Sequence, residues 1–271
     1  MKKNKVCIVT PFHKQKLNDY EKLSLKTINK NFKDEKKYLV TFKDNNIKIP
    51  NYTNIFFDKK YFLNIRTYTI LCNSLSFYQK FIDFDYILIC HFDVIVLKNN
   101  LKNFIDSSLS YIGAPAGKKN PFDRTRKKLW ARRFFCNGGF SLRKVSDFIN
   151  VLESSKILFP FNYYTIYECS KSGFFPFFSL LRETKNHNFS NKGEYFAQNL
   201  NLHEDTFWSY FATIFYEKYK LPSLSETTNF CFDGDPFFFY KKNYFKLPMA
   251  LHGHYNYIEF LKKIGKESLL E

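Results

Sequence analysis

The stretch YILICHFDVIVLKNN, from Tyr86 to Asn100, holds two apolar runs separated by His91-Phe92-Asp93. The first run is short and continuously apolar, as strands buried on both faces of a parallel sheet are. Burying an unpaired carboxylate is costly, so Asp93 requires a partner, a metal ion or an edge facing water. The carboxyl end of a parallel strand offers all three, and open α/β sheets bind their ligands there. His91 and Asp93 are therefore candidate ligand residues, with Asp93 a candidate metal ligand.

The flanking sequence supports such a sheet. Lys5 to Phe12 (KVCIVTPF) reads as a first buried strand ending in Thr10-Pro11-Phe12. Tyr38 to Phe42, Asn54 to Asp58 and Ser110 to Pro115 read as further strands. Leu25, Ile28 and Phe32 fall at helical spacing. So do Tyr68, Leu71, Cys72, Leu75, Tyr78 and Ile82, which predict one helix from Ile65 to Ile82. Strands alternating with helices predict an α/β chain with a mostly parallel central sheet covered on both faces. Downstream, Ala116 to Arg133 is basic and predicts a loop. Asn137-Gly138-Gly139 predicts either a plain tight turn or a place where backbone approaches a ligand closely, since glycines admit positive φ and carry no Cβ. A short strand and a helix bearing Val145, Phe148, Ile149 and Leu152 follow. Leu202 to Phe215 predicts a helix led by Glu204 and Asp205. With no internal repeat and no clean linker, residues 1–271 are expected to form a single domain.

Composition bounds the function. The chain has 42 Lys+Arg against 25 Asp+Glu, a net charge of +17, with 34 Phe and 19 Tyr. A positive field of that size favours anionic partners: nucleotide diphosphates, acidic lipid headgroups, phosphorylated glycans or nucleic acid. Over-use of Lys, Asn, Ile, Phe and Tyr supplies part of the charge without any function. The six cysteines form no C-x-x-C pair, and the N-terminal apolar core is too short for a signal peptide, so reduced thiols in the cytoplasm are expected. No apolar window reaches the roughly 18 residues that span a bilayer.

Three places carry paired acids. Asp83-Phe84-Asp85 precedes its strand and falls at the wrong edge of the sheet. Asp233-Gly234-Asp235 precedes Pro236 and reads as ordinary turn residues. Asp93 alone is delivered by a strand end. A carboxylate-held divalent ion, Mn²⁺ or Mg²⁺, neutralises a diphosphate while leaving sites for phosphate oxygens. His252-Gly253-His254 offers two imidazoles on one side of an extended segment, as metal ligands or as ordinary surface histidines. Of Glu204 and Asp205, one is a candidate base and the other a helix cap, or both are caps.

The order of these elements resembles the GT-A glycosyltransferases. More narrowly it resembles a bacterial family of surface-polysaccharide transferases, long held as a domain of unknown function, that includes enzymes assigned as galactofuranosyltransferases. The shared pieces are the strand ending in His91-Phe92-Asp93, Tyr111 to Pro115 (YIGAP), Asn137 to Arg143 (NGGFSLR), Glu204 to Ser209 (EDTFWS) and Gly253-His254-Tyr255. His91 stands where the family has Gln or Asp, and the family's Trp is missing after His254. The resemblance implies a GT-A-like, Rossmann-like domain, with a nucleotide-binding half over about 1–115 and an acceptor-binding half over about 116–271. It implies Asp93 as metal or diphosphate residue with His254 as a second ligand, Asp205 as base beside Glu204, and Thr10, Pro11 and Phe12 lining a nucleotide pocket with Arg66 as a donor contact. The partners it implies are a UDP-linked hexose donor and a glycan or lipid-linked acceptor of lipooligosaccharide, O-antigen or capsule.

The aromatic segment at about 154–200 suits a peripheral contact with the inner membrane, core packing or sugar stacking. Two alternatives stand beside this reading: a metal-independent transferase of the same fold, and a non-catalytic basic protein binding nucleic acid or anionic membrane. No recognised nucleic-acid motif or concentrated basic helix supports a nucleic-acid partner. Oligomeric state is not readable from these residues.

Overall fold

Among the described residues of the computed structural model, nine strands, β1 (Val6–Pro11), β2 (Lys36–Phe42), β3 (Tyr52–Phe57), β4 (Tyr86–Cys90), β5 (Val94–Val96), β6 (Tyr111–Pro115), β7 (Cys136–Lys144), β8 (Cys231–Asp233) and β9 (Ala250–His252), build two sheets. The residues described are 5–115, 136–155, 192–199, 203–253 and 257–270. The larger sheet has the order β3-β2-β1-β4-β7-β6 and the smaller β5-β9-β8. In the larger sheet β3, β2, β1 and β4 pair in parallel, and β7 runs antiparallel to both β4 and β6. Only β7 is reversed, so the sheet is mostly parallel, as expected.

The described helices are α1 (Asp19–Asn31), α2 (Ile65–Cys72), α3 (Leu75–Gln79), α4 (Leu101–Asp106), α5 (Val145–Glu153), α6 (Lys192–Asn199), α7 (Glu204–Tyr210), α8 (Ala212–Phe215), α9 (Leu224–Phe230), α10 (Pro236–Lys242) and α11 (Tyr257–Lys263). They cover both faces of the large sheet. Side chains alternate along each strand, so Ile8 and Leu88 point to one face and Cys7, Val9, Ile87 and Ile89 to the other. The first face packs on Ile28 and Phe32 of α1 and its C-terminus, on Phe104 and on Phe230. The second packs on Leu71, Phe77, Phe148 and the α7 residues Phe207 and Trp208. The first core also contains Val94, Cys231 and Ala250, so the small sheet shares it and is not a separate body. No described helix is long and apolar enough to cross a membrane.

Four expectations are corrected. The helix foreseen from Ile65 to Ile82 is two helices. Asn73 donates its Nδ2 to the Ala197 carbonyl at 2.8 Å and Ser74 caps α3, accepting from the Phe77 N–H. Such polar side chains compete with helix continuation, and Ile82 ends 66 % exposed. The helix foreseen from Leu202 to Phe215 is likewise broken, at Phe211. Gly138 and Gly139 lie inside β7, not in a turn, and neither has positive φ. The small sheet was not foreseen at all. The 116–133 loop, His254 and most of the 154–200 aromatic segment lie outside the described residues.

Candidate active site

Chain geometry at the carboxyl end of β4 follows from the small sheet. Antiparallel β5 sets Val94 opposite His252, and parallel β8 sets Asp233 opposite the same residue. Gly253, with φ +78°, turns its N–H onto the Asp93 carbonyl at 2.9 Å. His252 is thereby held between two carboxylates, with Nε2 3.4 Å from Asp93 Oδ1 and Nδ1 3.5 Å from Asp233 Oδ1. His91 stands beside it, ring centroids 6.3 Å apart, and its Nε2 lies 3.0 Å from the Tyr68 hydroxyl. One ligand atom from each of His91, Asp93 and His252 lies within 4.8 Å of the others. The three residues singled out in two distant segments thus meet.

The two imidazoles differ in charge. Burial pushes His91 down to about 4, with only partial opposition from Asp93. Burial also works against charge on His252, but the bonds to Asp233 and Asp93 outweigh it and raise the ring to about 10. His91 is a neutral nitrogen donor near pH 7, and His252 an imidazolium until something displaces its proton.

A second cluster forms around Arg143, which is fully buried. Its guanidinium donates to Glu204 Oε1 at 2.9 Å, the Tyr78 hydroxyl at 3.0 Å and Ser141 Oγ at 3.0 Å. Glu204 is therefore turned inward, and Asp205, its neighbour at the start of α7, is half-buried. Asp205 accepts the backbone N–H groups of Thr206 and Gly138, which favour its charged form. Burial, and next the Glu204 charge, prevail and hold its carboxyl well above the ordinary carboxylate range.

The two clusters meet on consecutive residues of β7. Gly113 pairs with Ser141 and Ala114 with Asn137, so residues 138–140 bulge out of the β6 ladder. A Cβ on Gly138 would fall 2.1 Å from Glu204 Oε1, and one on Gly139 would fall 2.3 Å from His252 Nε2. The glycines admit these two side chains, which is a different reason from the φ freedom expected of them. Asn137 braces the bulge by accepting the Gly139 N–H at 2.8 Å. Since the His252 ring is pinned by Asp93 and Asp233, Gly139→Ala is expected to dislodge it. Its titration midpoint would then fall from about 10 towards the ordinary imidazole value near about 6.5. A pH titration of the His252 ring resonances by NMR reads this directly; an unmoved midpoint speaks against the packing described.

The other expected residues are placed less directly. Thr10 is fully buried and donates its hydroxyl to the Cys90 carbonyl at 2.8 Å, fixing the end of β1 to that of β4. Phe12 packs edge-on against Phe92 at 5.3 Å, and Pro11 between them ends β1. Arg66 donates to the Gln198 carbonyl at 2.7 Å, which ties α2 to α6; the α2 residue that reaches the histidines is Tyr68.

Three contributors escaped the sequence reading. In the sequence Tyr68 reads as part of an apolar helical stripe, and Arg143 only as part of a motif. Asp233 reads as a turn residue, a reading that fits Asp235, which caps α10 by accepting the Phe238 N–H at 3.0 Å. A usable signal was present: Asp233 ends the apolar run Phe230-Cys231-Phe232 as Asp93 follows Tyr86 to Cys90.

The profile of the family described as a protein of unknown function (DUF5672) matches residues 51–252. No curated protein matches the chain in sequence. Similar solved structures include the galactosyltransferase LgtC in complex with donor and acceptor sugar analogues, 13% identical over 90% of this chain and 86% of that one, with a TM-score of 0.47. Mouse xyloside xylosyltransferase 1 in its apo form is 11% identical over 93% and 98% of the two chains, with a TM-score of 0.48. The glycosyltransferase GlyE of Streptococcus pneumoniae TIGR4 is 13% identical over 92% of this chain and 54% of its own, with a TM-score of 0.42. These likenesses are loose, and the chemistry rests on the side chains themselves.

Proposed function

The chain belongs to the family described as a protein of unknown function (DUF5672), and on that premise we propose that it is a GT-A-like glycosyltransferase. It moves a hexose of the galactose or galactofuranose type from a UDP-linked donor to a sugar hydroxyl of a bacterial lipooligosaccharide, O-antigen or capsule. The observation that carries this reading is the arrangement on β7. Gly139 backs a His/Asp cluster suited to a diphosphate-bound cation, and the adjacent Gly138 backs Glu204, whose neighbour Asp205 is the carboxylate with the raised pKa. Inverting transfer needs those two poles close together.

The cluster fits a divalent ion. Two imidazoles and a carboxylate converge, a donor set that suits Mn²⁺ better than Mg²⁺, which prefers oxygen throughout. His91, Asp93 and His252 would hold it, with Asp233 keeping His252 in place through its other nitrogen. Bound there, the ion supplies charge neutralisation to the departing diphosphate. His252 must lose its proton to ligate, so metal affinity rises with pH.

Asp205 supplies the base. Its carboxylate takes the proton from the acceptor hydroxyl as that oxygen bonds to the anomeric carbon. The bond from that carbon to the diphosphate oxygen breaks from the opposite side, and the nucleoside diphosphate leaves. A base with a raised pKa is better matched to a hydroxyl proton than an ordinary Asp. Arg143 holds Glu204 inward, which leaves this role to Asp205.

Calorimetric titration with UDP, GDP, CMP and dTDP, each with Mn²⁺ and with EDTA, tests the reading. One nucleotide should bind with Mn²⁺, and EDTA or Asp93→Asn should weaken it about tenfold or more. If no nucleotide binds under either condition, the transferase reading fails.

One observation favours a variant of the same reading. His252 stands between the carboxylates of Asp93 and Asp233, which favour its charged form without an ion, and is itself a cation beside the candidate site. Nucleotide binding that survives EDTA but is lost in His252→Ala would assign diphosphate neutralisation to this imidazolium.

A further inference from the structure

The surface around α10 and α11 has features the cleft chemistry does not use. At the end of α10 two aromatic residues in succession adopt left-handed backbone, Tyr244 with φ +53° and Phe245 with φ +57°. That region suits Gly or Asn and is unfavourable for bulky side chains. The turn is nonetheless well formed. The Phe245 N–H donates to the Tyr240 carbonyl at 2.8 Å, and Asn243 Nδ2 donates to the Lys246 carbonyl at 2.9 Å. Its result is to hold both aromatic side chains outward, Tyr244 83 % and Phe245 66 % exposed.

These two do not stand alone. Phe245 touches Tyr240 at 5.6 Å, Tyr240 touches Phe260 at 5.5 Å, and Phe260 touches Phe237, itself 47 % exposed, at 5.1 Å. Phe260 is fully buried and Tyr240 half-buried, so these rings run from the core out to Phe245 and Phe237 at the surface. Over residues 236–270 the charged side chains are Lys241, Lys242, Lys246, Lys262, Lys263 and Lys266 against Glu259 and Glu267, so six minus two gives +4. Lys263 extends over the Phe237 ring at 5.8 Å, charge beside ring.

We propose that the Tyr244-Phe245 turn and the lysines around it dock the protein on an anionic lipid bilayer, the two rings entering the interface and the lysines meeting acidic headgroups. Charge complementarity selects this occupant. Exposed rings ringed by ammonium groups suit a surface that is apolar below and negative above, whereas a second copy of this patch would repel itself. The surface differs from the 154–200 aromatic segment and stands independently of what the cleft transfers.

The test is flotation of the full chain with vesicles of phosphatidylcholine alone or with about one third phosphatidylglycerol. Binding is expected on the anionic vesicles and should weaken as salt screens the lysines. Lys241→Glu with Lys242→Glu should cut partitioning about tenfold or more. Tyr244→Gly provides the decisive contrast: a left-handed glycine removes the strain, so the melting temperature should hold or rise while vesicle binding falls. If Tyr244 served folding, the melting temperature would drop instead, and the proposal would be overturned. Equal binding to neutral and anionic vesicles, or undiminished binding by Tyr244→Gly with Phe245→Gly, overturns it as well. So does concentration-dependent self-association, lost in the same variants, without vesicle binding. Each of these outcomes leaves nucleotide binding at the cleft untouched, so the transferase reading stands or falls separately.

Discussion

Replacing Asp205 with Asn is expected to lower sugar transfer by about 10²–10⁴-fold, the range over which a positioned general base contributes. Nucleotide binding should be little changed, because Asp205 is not part of the His91, Asp93 and His252 ligand set. Asn keeps an oxygen for the N–H groups of Gly138 and Thr206, so the fold at the start of α7 is preserved. The pH dependence separates a base from a bystander. Burial and the Glu204 charge raise the Asp205 pKa, so the proton leaves only above the ordinary carboxylate range, and the wild-type rate should climb with pH there. Stability moves the other way. A raised folded pKa means that stability is fully present below the unfolded value and is lost as pH rises through the folded one. The Asn variant has no such proton, so its residual rate should lack that rise, and its melting temperature should gain on wild type as pH increases. A rate within a few-fold of wild type, or an unchanged acid limb in the variant, would remove Asp205 from the chemistry.

The same bulge explains what could be read in the amino-acid order and what could not. Alternating buried strands and amphipathic helices announce themselves locally, because each buries a face that its own periodicity records. Hence β1 to β4, β6 and α1 were legible, along with the placement of Asp93 at a strand end. The small sheet was not. Its strands β5, β8 and β9 are three residues each, too short to leave a period, and β5 lies more than 130 residues before β8 and β9. Asp233 joined the site only through pairing of β8 with β9, so a local reading of Asp-Gly-Asp-Pro as a turn was half right.

The glycines failed for a related reason. Their value lies in what approaches them, His252 and Glu204, and neither is near in sequence. Local reading weighs φ preference, which the chain knows about itself, and misses vacancy, which only a distant side chain reveals. His252 was foreseen as a residue but not as an imidazolium between two carboxylates, because its charge depends on the partner that was missed.

Arg143→Met is expected to produce the largest loss of stability, about 3–5 kcal/mol, since it leaves Glu204 buried without its counter-charge. For a chain of this size each kcal/mol moves the melting temperature by about 2–4 °C, so a drop on the order of 10 °C should be seen by calorimetry. The partner substitution separates charge from packing. Arg143 lies against the Tyr111 and Phe148 rings, at 5.8 and 5.7 Å, so its surroundings accept an apolar side chain. Adding Glu204→Leu to Arg143→Met should therefore recover much of the loss, as apolar replacements of buried pairs do. Catalysis should report on the same pair by a second route. Glu204 contributes to the raised Asp205 pKa, so the double variant should shift the acid limb of the rate to lower pH. If stability returns but the acid limb stays, the pair only fills the core. If both respond, Arg143 and Glu204 position and tune the base that Asp205 provides.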